Sequence, residues 1–300
     1  MAAVTARPRR RRRRYARTLT WLAALLVVAV VAVVLALNRT QVLPLAQVRC
    51  AATSDGTSWY LTPEQADNAA LIAGISVQRG LPAHAATIAI ATALQESKLV
   101  NVTHGDRDSL GLFQQRPSQG WGTAAQVVDP VHATNAFYDA LVAVPGYETM
   151  AVTAAAQAVQ RSAFPEAYAQ HEPQARAWAS ALTGFSTAAV TCHLRAPDAA
   201  GTAEAFAAHV QRDLGPLAVT PGSATTTGLP LVVTTAAGVP ADARTRQAWS
   251  AAEGVVAIAQ AEQVTAVAVA DQEWTRTRGT WQPSATALPI GEVHVTLAVG

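Results

Sequence analysis

One carboxylate stands where acid chemistry needs it. Glu96 closes the run PAHAATIAIATALQES, which begins at Pro82, a favoured first helical residue. Ala85, Ile88, Ala89, Thr92 and Ala93 recur at helical spacing, and Glu96 falls next on that face. Ile90 and Leu94 make the opposite side apolar, so the helix is predicted to be buried all round. Burial raises a carboxyl pKa and keeps its proton on near neutral pH. A general acid that breaks a glycosidic bond needs that property. The plainer alternative is a helix-end Glu that faces solvent or pairs with Lys98 or Arg107.

The polar loop NVTHGDRDS follows, and then Leu110-Gly111-Leu112-Phe113-Gln114-Gln115. A two-carboxylate glycosidase would need Asp106 or Asp108 across a cleft from Glu96. Both are read instead as residues that structure the loop. Gly111 would let the backbone approach a ligand closely. Ser109 would bond a sugar or cap a turn. Trp121, in QGWG, would stack its flat ring on a sugar face or pack over the core. Those alternatives stay open at the level of the residues.

Glu96-Ser97, the loop, and Ser109-Leu110-Gly111-Leu112-Phe113-Gln114 together resemble the lytic transglycosylase and goose-type lysozyme superfamily. That family's pattern is E-S, a loop, then S-x-G-L-M-Q, and here Phe113 replaces the Met. The resemblance covers about residues 60–184. It implies a lysozyme-like all-α domain that cleaves peptidoglycan glycan strands at the MurNAc–GlcNAc bond. Glu96 would be the single catalytic acid and base. The substrate's own N-acetyl group would assist, giving a 1,6-anhydro sugar. Ser109, Gly111 and Gln114 would line the sugar cleft, with Trp121 as a platform, and no cofactor is implied. The family also carries A-Y-N-x-G on a later helix. Here Ala155-Ala156-Gln157-Ala158-Val159 stands there, so Gln157 replaces the Asn and Ala156 lacks the Tyr ring. Tyr168 matches a later cleft Tyr. That departure sustains a second expectation, a catalytically impaired peptidoglycan-binding or scaffold protein on the same fold.

The elements that must position these residues follow from local signals. Thr62-Pro63-Glu64-Gln65 is a helix start with a capping box, and that helix ends at Gly80. Asp129-Pro130 starts another helix, whose apolar face is Ala133, Ala136, Phe137, Ala140, Leu141 and Val144, and Pro145-Gly146 breaks it. Residues 148–162 and 173–182 read as further helices. With no convincing strand over 60–184, the region is expected to be all-α. After Cys192, Pro, Thr and Val increase. Helices over 202–214 and 242–260, strands over 229–235, 264–270 and 292–298, and a weak hairpin from Trp274 to Trp281 suggest a small α+β module over 197–300. No motif assigns that module a role, and a protein partner for it is one expectation.

The 300 residues suggest about two domains. The net charge of +2 hides a segregation. Eight arginines precede residue 20, leaving fourteen basic against twenty acidic residues in the rest, a net of −6. An acidic body argues against a nucleic-acid partner. Residues 1–18 read as a basic cytoplasmic tail. Residues 19–37, LTWLAALLVVAVVAVVLAL, are uncharged and would span about 28 Å as a helix, which predicts a membrane signal anchor. The positive-inside rule would then leave the later domains extracytoplasmic. Residues 38–58 would be a tether and 59–192 the lysozyme-like domain. The whole is thus expected to be mostly α, with a small α+β module at its end. Cys50 and Cys192 would close a long loop if they pair, consistent with an oxidising exterior. Seven histidines show no metal-ligand spacing, and no phosphate-binding glycine loop or nucleophile elbow is present.

Overall fold

A computed structural model describes residues 48–162 and 164–300. The chain enters as a β-hairpin, β1 (Arg49–Ser54) and β2 (Thr57–Leu61), turned by Asp55 and Gly56, both at positive φ. Helix α1 (Pro63–Gln78) follows with the expected capping box, in which the Thr62 hydroxyl accepts from Gln65 N and Gln65 Oε1 accepts from Thr62 N. Helix α2 (Ala83–Ser97) is buried from Ala85 through Leu94, as its all-round apolarity predicts. The short α3 (Ala124–Val128) and then α4 (Pro130–Val142) come next, with Asp129 capping Val131 N and His132 N. Helix α5 (Val152–Gln160), a 3₁₀ turn (Pro165–His171) and α6 (Glu172–Leu182) complete the helical region. Strand β3 (Val190–His193) returns to the hairpin and gives an antiparallel sheet ordered β2-β1-β3.

The remaining chain supplies α7 (Ala203–Leu214), β4 (Ala218–Pro221), β5 (Leu229–Thr234), α8 (Ala241–Ala257), β6 (Val264–Val269), β7 (Gln272–Thr275), β8 (Trp281–Pro283) and β9 (Glu292–Leu297). These strands form one antiparallel sheet ordered β4-β5-β9-β6-β7-β8. Alternation in β9 buries Val293, Val295 and Leu297 on one face, against α8. Thr202 caps α7, and Trp274 and Trp281 sit opposite one another across β7 and β8.

Three expectations need correction. The described residues contain two antiparallel sheets, with 43% helix and 19% strand, so the fold is α+β and not mostly α. The tether expected over 38–58 is, from Arg49 onward, a paired hairpin whose β1 is the central strand of the first sheet. Local polarity around SDGTS suggested a loop, but pairing with β3, 142 residues away at the cysteines, turns it into a strand. Among the described residues no helix is long and apolar enough to cross a membrane, so single-pass anchoring is not supported. The run 19–37 that suggested it, and the basic tail 1–18, lie outside the described residues.

Cys50 and Cys192 form a disulfide at directly opposed positions of β1 and β3. Closing a loop of that length stabilises by about 5 kcal/mol in the chain-entropy account. Residues 48–300 form one unit by their packing. Helix α8 unites it, lying against β6, β9 and β3 and also against α1 and α6. Its Trp249 meets Trp281 edge to face at 5.5 Å. Its Glu253, fully buried, accepts from Ala189 N at 2.7 Å and Val190 N at 2.8 Å at the start of β3.

Candidate functional site

Glu96 occupies the last turn of α2, where the buried run gives way to half-exposed residues. The helix ends at Lys98, which adopts left-handed φ and sends the chain into the loop. Glu96 forms no ion pair with Lys98 or Arg107, and Arg107 reaches only Asp106. Its partner is Tyr168, in the 3₁₀ turn, whose phenol donates to Glu96 Oε1 at 2.7 Å. Tyr168 is fully buried. Burial first, and then the hydrogen bond and charge of Glu96, hold its phenol well above its ordinary value. Tyr168 is therefore a fixed donor across the neutral range. No hydrogen bond to Oε2 of Glu96 is seen among the described residues.

The neighbouring Ser97 links this helix end to the G-L-F-Q segment, donating to Leu112 O at 2.7 Å and Ala93 O at 3.1 Å. Leu110 and Gln115 pair through two backbone hydrogen bonds, so residues 111–114 make a tight turn between them. Leu112 and Phe113 are fully buried, and Phe113 stacks on Phe137 at 4.7 Å. Gln160, at the end of α5, donates to Phe113 O at 2.8 Å. Thus the Leu and Phe of the motif are plugs that seat the turn in the core. The structure brings the end of α2, this turn, the end of α5 and Tyr168 into one bonded neighbourhood.

The other sequence-predicted residues divide by what they bond. Ser109 is buried, and its hydroxyl accepts from Arg116 Nε at 2.9 Å. Gly111 has φ +76°, and a Cβ there would lie 2.2 Å from Val127 O. The nearby helix end thus already requires glycine, without any ligand. Gln114 donates to His104 O and Gly111 O, each at 3.4 Å, and packs against Gly105. It shapes the loop. Gln157 donates to Ser162 O at 2.9 Å, while its Oε1 is buried without a partner. It turns toward its own helix end. Asp106 pairs with Arg116, and Asp108 caps Ser118 through N and Oγ, so both acids structure the loop as expected. The Ser118 backbone N–H, above all, holds the Asp108 carboxyl below its ordinary value.

Trp121 packs partly on the core and lines a recess of about 700 Å³ with Gln119, Ala140, Ala143, Val144, Ala158, Val159, Gln160 and Arg161. Sequence reading named only Trp121 here. Thr123-x-x-Gln126, a capping box that starts α3, was the signal that this loop is ordered.

A second polar cluster was missed altogether, because Asp67 and Glu262 are far in sequence from the His209, Arg212 and Asp213 they meet. His209 on α7 reaches Glu262 through Nδ1 at 2.7 Å, and Asp67 and Asp213 through Nε2 at 3.2 and 2.9 Å. Burial alone would lower His209. The hydrogen bonds to Asp213, Asp67 and Glu262 outweigh it and push the imidazole up to about 11. The Asp67, His209 and Asp213 ligand atoms lie within 4.8 Å of one another, a donor set a divalent cation can use. The Arg212 guanidinium already occupies that position, bonding Asp213 twice and Asp67 once. The cluster is therefore satisfied by its own cations and ties α7 to α1. No protein-family model matches this chain, and no curated protein matches it.

Proposed function

We propose that the chain cleaves peptidoglycan glycan strands at the MurNAc–GlcNAc bond, as a lytic transglycosylase or muramidase. The observation that carries this reading is the state of Glu96. One carboxylate oxygen is held by the Tyr168 phenol, and the other, on a half-exposed helix end beside the S-x-G-L-F-Q turn, has no hydrogen bond among the described residues. A single acid that first donates and then removes a proton needs one oriented oxygen and one that reaches the substrate. Oε2 would protonate the glycosidic oxygen. The same carboxylate would then take a proton from the muramyl 6-hydroxyl in a transglycosylase, or from water in a hydrolase. Asp106 and Asp108 are committed to Arg116 and Ser118, so neither supplies a second catalytic carboxylate.

The test is digestion of purified peptidoglycan by the wild type and by Glu96→Gln. The wild type should release muropeptides, anhydro or reducing according to the mechanism, and Glu96→Gln should lose about a thousandfold or more in rate. Equal clearance by the two would sink the assignment. The inward-turned Gln157 beside Ala156 favours the second reading, a glycan-binding protein without turnover. Retention on glycan with no released product would select it.

A further inference from the structure

We infer that the recess beside Trp121 receives a carboxylate of the stem peptides that peptidoglycan strands carry, with Arg161 as the anion's partner. This rests on the glycan reading above and adds which strands the protein prefers. Four observations support it. The recess, at about 700 Å³, is large enough for a sugar or a short peptide, with an apolar floor of Ala140, Ala143, Val144, Ala158 and Val159. Its polar wall is two amides, an indole and one guanidinium, from Gln119, Gln160, Trp121 and Arg161.

No Asp or Glu lines it, although the body of the chain carries more acids than bases. Arg161 is exposed and forms no ion pair among the described residues. Arg79, Arg116, Arg176 and Arg212 are matched to carboxylates, while Arg195, Arg246 and Arg278, like Arg161, have no ion pair among the described residues. Arg161 differs from them in lining this recess. A cation at the end of α5 suits the helix dipole, but the dipole does not explain an acid-free hollow around it.

The recess is also placed to extend the Glu96 neighbourhood. Gln160 lines it and at the same time holds Phe113 O, in the turn that Ser97 holds through Leu112 O. Gln160 thus ties the wall of the recess to the turn that follows Glu96. Neutral sugars can use the indole and the amides. A guanidinium can donate single hydrogen bonds to sugar hydroxyls, but a carboxylate takes it bidentately with charge assistance. Stem peptides supply such carboxylates at side chains and C-termini, away from the glycan backbone, whereas stripped glycan keeps only the lactyl carboxylate beside each muramyl ring.

The experiment measures binding of the full-length chain to soluble peptidoglycan strands with intact stems, and to the same strands after amidase removal of the stems. The intact strands should bind at least tenfold more tightly at low salt, and the ratio should shrink as salt rises. Arg161→Gln should bring the ratio close to one, and Arg161→Lys should restore part of it. The side chain is exposed, so neither change disturbs the core, and unchanged melting curves confirm this. A wild-type ratio near one, or an Arg161→Gln variant that keeps the preference, overturns the inference while leaving glycan cleavage standing. If neither strand is bound or cut, the glycan reading itself falls, and this inference with it.

Discussion

Tyr168 and Glu96, 72 residues apart, share a 2.7 Å hydrogen bond that fixes one oxygen of the carboxylate, while the other has no hydrogen bond among the described residues. Tyr168→Phe keeps the ring in the core and removes only the donor. The lost bond is worth about 1–1.5 kcal/mol, so kcat on glycan should fall about tenfold with KM nearly unchanged. Thermal melting should move by only a few degrees. A variant as fast as the wild type would show that Tyr168 does not position the acid.

Gly111 is fixed by sterics. Alanine there combines φ +76° with a Cβ 2.2 Å from Val127 O. Left-handed strain and overpacking together should cost about 3 kcal/mol, seen as a lower urea midpoint. Gly120, at φ +85° with nothing within 4 Å, is the control. Gly120→Ala should lose only about 1 kcal/mol. Equal losses at the two sites would remove the Val127 contact from the explanation.

Glu253 makes stability fall with pH. Its burial pushes the carboxyl up to about 8, against the two backbone N–H groups that lower it. The folded chain therefore holds a proton that the unfolded chain has lost between about pH 4.5 and 8. Stability from this group is complete below 4.5 and declines as pH rises through 8. Denaturant titrations at pH 5 and 9 should show a loss on the order of a few kcal/mol. Glu253→Gln should flatten that slope, whatever its effect on absolute stability. An unchanged slope would mean that Glu253 does not titrate in this window.

His209 contributes in a higher window. Its imidazole, pushed up to about 11 from an ordinary 6.5, stays charged in the fold after the unfolded chain has lost the proton. The contribution is full below pH 6.5 and is lost as pH rises through 11. His209→Gln leaves Asp67, Asp213 and Glu262 with only Arg212 for charge balance, and should cost about 3 kcal/mol near pH 6. The gap from wild type should narrow steadily toward pH 11 in thermal melts. A gap constant with pH would refute the charged state of the ring.

Several elements were legible because their causes are local. Thr62 with Gln65, Asp129 with Pro130, and Thr202 each start a helix where the cap chemistry requires it. Strands were read where β5, β6 and β9 form, the last from its alternation, and the weak Trp274–Trp281 hairpin signal coincides with the β7–β8 pair. Recognition of Glu96 depended on its place at the end of an apolar helix and on the turn that follows. The roles given to Gly111, Gln114 and Gln157 show the limit of that approach. Their backbone and amide groups turn out to be engaged with Val127, His104 and Ser162, partners that a spacing pattern does not reveal.

By itself the sequence determined where helices begin, which faces are apolar, and that Cys50 and Cys192 were available to pair. Tertiary structure alone decided that Arg49–Leu61 becomes sheet, that Tyr168 meets Glu96, and that His209 gathers Asp67 and Glu262 from two distant segments. The physical reason is range. Caps and periodicity act within a few residues, whereas strand pairing, buried ion pairs and a carboxylate's partner exist only after chain closure has brought distant residues together.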